Sequence, residues 1–390
     1  MKTFTRTVWI LSFVSLFTDM ASEMLYPILP VYLKSIGFSV VLIGVLEGIA
    51  EATAGLSKGY FGKMSDNTGK RVPFVQIGYA LSTISKPMMA IFNYPLWIFF
   101  ARTTDRLGKG IRTAARDAIL SDEATKETKG KVFGLHRTMD TFGAVLGPLL
   151  ALLYLYFYPE DYINLFFIAF IPGLLSVATS FLLKDKRKDV KASHEKVGLL
   201  AFMKYWKDSP SEYRKLLIGL LAFTLFNSSD VFLLLKAKES GLSDTMVVGV
   251  YIFYNLIYAL FALPAGIFAD KFSLKSVYVF GLLIFTTVYF GMSYSNNIYL
   301  TFSMFFLYGI YSASTEGISK AWISNIADKK DTATAIGLYT GLQSVFTMLA
   351  SSVTGLVWYK YGGLQAFMVT SIMSVIIAVY FMVYVKKPQN

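Results

Sequence analysis

The chain has 390 residues, 55% of them hydrophobic and only 16% charged, with a mean hydropathy of +0.52. That balance excludes an ordinary soluble domain, and the absence of cysteine excludes disulfides and thiolate metal sites. A net charge of +12 points to nucleic acid in a soluble protein, but here the bases sit in loops between apolar runs, so no nucleic-acid partner is expected.

Apolar runs recur near 8–33, 40–60, 73–92, 95–119, 132–157, 162–183, 215–235, 245–268, 275–293, 297–322, 333–358 and 365–385. Each is long enough to cross a hydrocarbon core of roughly 30 Å. An all-α membrane protein with twelve transmembrane helices is expected. The start "MKTF" followed by an apolar stretch imitates a signal peptide. That reading fails, because the run holds Asp19 and Glu23, continues through Pro27 and Pro30, and is followed by eleven similar segments. With the N-terminus inside, inner loops carry Lys2, Arg6, Lys58, Lys63, Lys70, Arg71, Lys126, Lys129, Lys131, Lys271, Lys275, Lys329, Lys330, Lys386 and Lys387. Outer loops carry only Lys34, Lys236, Lys238 and Lys360. This bias puts both termini in the cytoplasm, and a prokaryotic inner membrane is the expected location.

Charges inside the runs carry the chemistry. The first run has Asp19 and Glu23, and the second Glu47 and Glu51, each pair at i and i+4 on one helix face. The fourth run holds Arg102, Asp105, Arg106, Lys109, Arg112, Arg116 and Asp117. At ~100° per residue these seven fall within about 140° of one another. An ion at the bilayer centre costs on the order of 3 kcal/mol, so the stripe must face the bundle interior or water. The fifth run adds Arg137 and Asp140, one turn apart, with His136 beside them. Acids and bases nearly balance, as a buried network requires. The upper part of the stripe, Arg102 to Lys109, is assigned with these acids to coupling or anion recognition. Arg112, Arg116 and Asp117 are assigned to a cytoplasmic gate together with Asp122. A purely structural network satisfies the same pattern.

A basic central loop divides six runs from six, giving an N-terminal bundle over 1–183, a linker over 184–214 and a C-terminal bundle over 215–390. Within the linker, Leu199, Leu200, Phe202, Met203 and Trp206 offer a short interfacial helix, with a plain solvated linker as the alternative. The halves repeat at a nearly constant offset. "KSIGFS" at 34–39 returns as "KESGLS" at 238–243, and Gly62 and Asp66 return as Gly266 and Asp270, 204 positions on. Parallel repeats of this kind place a substrate site at their interface and work by rocking. In the second half Glu23 becomes Asn227, Glu51 becomes Asn255, Asp140 becomes Gln343 and Arg102 becomes Tyr308. Its intramembrane ions are few: Asp230, Glu316 and Lys320. Asn227, Asp230, Tyr251, Tyr254, Asn255, Tyr308, Tyr311, Glu316 and Gln343 are therefore the candidates for polar and aromatic substrate contacts.

Between the second and third runs stands "GKMSDNTGKR", residues 62–71. It resembles the signature loop of the major facilitator superfamily, with Gly62, Asp66, Gly69, Lys70 and Arg71 all fitting. In that family the loop latches the two halves on the cytoplasmic side, and Asp270 is a partial second copy. Arg102 falls where the family's fourth-helix arginine is expected, a residue linked to proton coupling in exporters. Gly143, Gly147 and Pro148 in "GAVLGP" are similar to the motif of the family's antiporters, although the further glycines of that motif are replaced by "LLALLY". The resemblance implies a twelve-helix transporter of the drug:proton antiporter kind, made of two six-helix bundles.

Other chemistry is set aside. His136 and His194 make neither a triad nor a metal cluster. "RLGKG" at 106–110 lacks the Gly-x-x-x-x-Gly-Lys-Ser/Thr spacing of a phosphate loop, and no metal site is expected. The reading is of a transporter and not an enzyme, without cofactor and driven by a proton gradient. It exports a small organic solute, anionic or amphiphilic, and acts as a monomer in the lipid bilayer. Its rivals are an importer or facilitator of organic anions and a lipid flippase of the same fold.

Overall fold

The computed structural model describes residues 4–185, 198, 200–295 and 297–385. His194, Leu199, Lys2, Lys386 and Lys387 lie outside the described residues, as does most of the basic stretch of the linker. Among the described residues the chain is helical, with no strand.

The helices run in order α1 Arg6–Leu25, α2 Leu29–Ser35, α3 Val40–Thr68, α4 Val72–Ile91, α5 Pro95–Asp122, α6 Lys129–Phe157 and α7 Tyr162–Ser180. After the linker come α8 Tyr205–Asp208, α9 Ser211–Thr224, α10 Val231–Glu239, α11 Asp244–Lys271, α12 Leu274–Ser293, α13 Ile298–Ile326, α14 Thr332–Tyr361 and α15 Gly363–Tyr384. Taking α1 with α2 and α9 with α10, these make the twelve expected passages. Seven are long and apolar enough to cross a membrane by length and composition alone: residues 6–35, 129–157, 162–180, 246–271, 274–293, 332–361 and 363–384. The others, α3, α4, α5, α9–α10 and α13, carry the interrupting charges, polar side chains or breaks.

Two passages expected to be continuous are broken, at equivalent places in the repeat. The first stops at Leu25 and resumes at Leu29. Pro27 and Pro30 have no N–H to donate, and Pro30 suits the first turn of α2. The seventh stops at Thr224 and resumes at Val231, across "LFNSSD". Asn, Ser and Asp side chains offer the backbone partners other than the helix ladder. The Ser229 amide donates to Ser351 Oγ on α14 at 3.0 Å. Hydropathy averages straight through such a stretch, which is why the break does not show in the run pattern.

The repeated hexapeptide has a structural reason. Gly37 and Gly241 adopt φ of +93° and +95°, a backbone region that suits glycine. Two residues later Ser39 and Ser243 cap α3 and α11, accepting from the amides of Leu42 at 3.2 Å and Met246 at 3.3 Å.

The chain forms two compact units. One is drawn from Met1–Glu123, Met139–Asp208 and Asp328–Gly341; the other from Ala124–Thr138, Ser209–Ala327 and Leu342–Asn390. Helices α6 and α14 are thus each divided, with their first turns in one unit and the remainder in the other. In the first unit α5 packs on α3 and α4, and α7 on α1 and α4; in the second α13 packs on α11 and α12, and α15 on α12 and α9. The linker is not simply solvated. It forms a 3-10 turn, Ala201–Lys204, and runs into α8. Phe202 is buried against Gly59 of α3, where an added Cβ would stand 2.6 Å from its ring.

Candidate functional site

Helix α5 is the hub of the first unit. Two glycines of "RLGKG" bring its neighbours close: a Cβ on Gly108 would meet the Gly78 carbonyl of α4 at 2.6 Å, and one on Gly110 would meet Ser57 of α3 at 2.3 Å. These glycines serve helix contact. With the helices this near, the charged stripe reaches partners on both sides. Arg102 grips Glu47 of α3 with two bonds, Nε to Oε1 at 2.7 Å and Nη2 to Oε2 at 2.8 Å. Its remaining nitrogen, Nη1, donates to Asp105 Oδ2 at 3.1 Å. This planar fork is suited to guanidinium and not to ammonium.

Asp105 is held from the other side by Lys86 of α4, Nζ to Oδ1 at 2.8 Å, and by Ser85 Oγ at 3.3 Å. Lys86 also donates to Ser22 Oγ of α1 at 3.2 Å. The sequence reading missed Lys86, which is 2% exposed. Its only signal was a single lysine inside an apolar run, next to Pro87. Arg106 faces Glu51 at 3.3 Å and Glu47 at 3.9 Å. Lys109 is the exception on the stripe, since it stands exposed.

Arg112 and Arg116, assigned to the gate, are turned into the unit. Arg112 donates to Ser82 Oγ at 2.6 Å, and its guanidinium lies 4.5 Å from the centre of the Tyr79 ring. Arg116 pairs with Asp117 at 2.9 Å and reaches Ser15 of α1 at 3.3 Å. Asp19 brings in a further group: the charges acting on it are Asp140, Glu23, Lys109 and Arg112. Three carboxylates from α1 and α6 therefore share one neighbourhood with two bases. Gly143 and Gly147 explain how α6 comes so near. A Cβ on either would strike the α1 backbone, at the carbonyls of Leu16 (2.4 Å) and Met20 (2.5 Å) respectively. Pro148 follows within the helix.

Arg137 also has a partner on α13. It belongs to the second unit, where it pairs with Glu316 of α13 at 3.3 Å and approaches the Tyr258 ring.

The loop at 62–71 has the geometry of a clasp. Gly69 closes α3 at φ +66°. Arg71 donates to Asp66 at 3.0 Å, to Asp122 at the end of α5, and to the Lys329 carbonyl at 3.3 Å. Lys70 is exposed. Asp66 Oδ2 accepts from both the amide (2.7 Å) and the hydroxyl (2.8 Å) of Thr334, in the first turn of α14. A carboxylate there satisfies an orphan N–H and meets the positive end of the helix dipole. Gly62 permits the approach, since its Cβ would meet the Ala333 carbonyl at 2.6 Å.

The second unit repeats the device. Asp270 accepts from the amides of Gly130 at 2.7 Å and Lys131 at 2.8 Å, in the first turn of α6. A Cβ on Gly266 would meet the Gly130 carbonyl at 2.2 Å. The partial sequence copy thus keeps the cap and the close approach.

The second-half candidates gather around the break in the seventh passage. Asp230 accepts from the hydroxyls of Tyr254 and Tyr308, each at 2.5 Å. Asn227 donates to the Tyr311 hydroxyl at 2.9 Å, and Asn255 to the Tyr251 carbonyl at 3.0 Å. The rings of Tyr251, Tyr254, Tyr308 and Tyr311 follow one another at centroid spacings of 5.4, 5.4 and 5.3 Å. Tyr254, Tyr308 and Tyr311 are buried, while Asn227, Asp230 and Tyr251 are partly exposed. Gln343 is partly exposed on α14.

Known proteins agree with this architecture. A family model described as Major Facilitator Superfamily matches residues 11–257 and 216–390. An uncharacterised MFS-type transporter of Methanocaldococcus jannaschii is 33% identical over 377 residues, covering 95% of this chain and 93% of that one. The staphyloferrin B transporter of Staphylococcus aureus is 23% identical over 295 residues, 71% of this chain and 68% of its own. The crystal structure of the human organic anion transporter MFSD10 superimposes with a TM-score of 0.81 at 14% identity, covering 96% of this chain and 99% of that one. At that identity the likeness shows the fold alone. From the family match and the near full-length relative, borne by a twelve-passage helical fold, the chain belongs to the Major Facilitator Superfamily of membrane transporters.

Proposed function

We propose that the protein is a proton-coupled secondary transporter that exports a small organic solute by alternating access. It sits in a prokaryotic inner membrane with both termini cytoplasmic, and it works as a monomer without a cofactor. The moving bodies are the bundles 1–183 and 215–390, joined by the linker 184–214. The observation that carries the reading is the ion network of α5, in which Arg102 holds Glu47 and Asp105 and Lys86 holds Asp105 from the other side, with the carboxylates Asp19, Glu23 and Asp140 of α1 and α6 assigned to the same coupling set. Carboxylates inside membrane passages are the usual proton carriers of pumps and transporters. Arg102 and its partners form the rigid side of the same neighbourhood. Asp66 and Asp270 are the clasps that proton and solute binding must release, because each caps a helix that starts in its own unit and continues into the other.

The charge census refines the solute. Arg102, Arg106, Arg112 and Arg116 each already hold a carboxylate, a hydroxyl or a ring. Bases engaged in this way are poor anion receptors, which favours the amphiphilic member of the pair over the anionic one and weighs against an organic-anion importer. In proteoliposomes, Arg102→Ala and Glu23→Gln are each expected to abolish transport driven by a pH gradient. Full transport with an intact pH response in both variants sinks the coupling assignment. The transported compound is to be found by thermal-shift screening at two pH values, followed by flux measurement of each hit.

A further inference from the structure

We propose that the break in the seventh passage is a binding subsite for an organic cation, with Asp230 as its counter-charge and the tyrosines of α11 and α13 as its walls. The inference rests on the transporter reading above and deepens it, by giving the amphiphilic solute a positive group and a place to bind.

The case starts from charge. Asp230 is a carboxylate in a membrane passage, where an ion needs a partner. Its two oxygens are met by neutral hydroxyls, those of Tyr254 and Tyr308. No lysine or arginine pairs with it among the described residues, and after the two tyrosines the side chain acting on it is Glu316, of the same sign. Glu316 in turn is engaged with Arg137. The carboxylate is therefore solvated by protein dipoles but not neutralised, unlike every carboxylate that α5 holds in the first unit.

The second observation is the aromatic wall. Tyr251 and Tyr254 meet at 89°, and Tyr254 and Tyr308 at 69°, forming a corner beside the carboxylate. Ring faces attract cations and pack the apolar body around them. The third is unmet polar capacity. Asn227 Oδ1 is buried without a hydrogen-bond partner. A buried polar group left without a hydrogen bond is costly. An oxygen that lacks a partner, next to an uncompensated carboxylate, suits a ligand that brings positive charge and N–H or C–H donors. Asp230 as a residue is partly exposed.

A matched pair of ions tests this. Tetraphenylphosphonium and tetraphenylborate have nearly the same size and shape and opposite charge. Binding of each is measured by isothermal titration to the purified full-length protein in detergent at pH 8. Wild type is expected to prefer the phosphonium by at least ~10-fold. Asp230→Asn is expected to lose that preference, and Asp230→Glu, which keeps the charge, to retain it. Equal affinity of wild type for the two ions overturns the inference, as does an undiminished preference in Asp230→Asn. Because titration needs no flux, its outcome separates from that of the transporter reading. A protein that binds the phosphonium through Asp230 but moves nothing across a bilayer refutes transport and keeps the subsite. One that shows pH-driven flux without discriminating the ions does the reverse.

Discussion

Arg102 on α5 and Tyr308 on α13 stand at equivalent places in a duplicated chain, yet they do opposite things. Arg102 neutralises two carboxylates, Glu47 and Asp105. Tyr308 solvates one carboxylate, Asp230, and neutralises nothing. The exchange extends to the breaks. Tyr26, 204 positions before Asp230, lies at the first break, in the electrostatic reach of Arg106. Base and phenol in the first half have become phenol and acid in the second. What the duplication preserved is the frame: broken first passages, glycine turns with serine caps, and aspartates clasping a helix start. What diverged is the chemistry lining that frame. A frame of backbone contacts tolerates few substitutions, since a Cβ on Gly62 or Gly266 meets a carbonyl. Side chains lining the passages are free to change so long as each half remains satisfied.

The comparison predicts unequal costs for equivalent substitutions. Arg102→Met leaves Glu47 and Asp105 short of a cation and should cost about 3–5 kcal/mol, read as a lower unfolding midpoint in detergent. Tyr308→Phe removes one hydroxyl and should cost about 1 kcal/mol. Equal losses from the two erase the distinction between an ionic half and an aromatic half. Lys86→Met comes next, at about 2 kcal/mol, because Asp105 keeps Arg102 as a partner.

The clasps sharpen the contrast further. Asp66 caps α14 and also pairs with Arg71, whereas Asp270 caps α6 through two amides. Asp66→Ala should therefore destabilise more than Asp270→Ala, by about 1 kcal/mol. Unfolding midpoints of the two variants, compared in one detergent, check the order. The smallest effect belongs to Lys109→Ala, which should leave the midpoint unchanged because the side chain is exposed. Its transport rate should still fall, since Lys109 acts on Asp19 and Glu51.

The periodic information in the sequence carried most of the fold and part of the site. Twelve apolar runs, the repeat at 204 residues and the 62–71 motif were enough for the architecture. The 100° spacing on α5 foretold a buried stripe, and six of its seven charges are turned into the unit. Three things were hidden. Lys86 is a lone charge on a helix that was not matched to the stripe, and no periodicity tells one helix which neighbour it faces. Arg137 and Asp140 lie one turn apart, yet α6 passes from one unit to the other between them, and nothing in the local spacing marks that division. The partners of Asp66 and Asp270 are backbone amides of distant helices, and amides leave no mark in a sequence.

The central claim is that protonation in the first half, and not at Asp230, releases the clasp. The chain contains no cysteine, so one placed at Ala333, buried against Gly62, reports opening by its rate of alkylation. Measured across pH in proteoliposomes and divided at each pH by the rate for the same thiol in the unfolded protein, which removes the thiol's own ionisation, that rate should vary in the Ala333→Cys protein, and Asp19→Asn should flatten the dependence while Asp230→Asn preserves it. A pH dependence that survives Asp19→Asn and vanishes in Asp230→Asn would contradict the account.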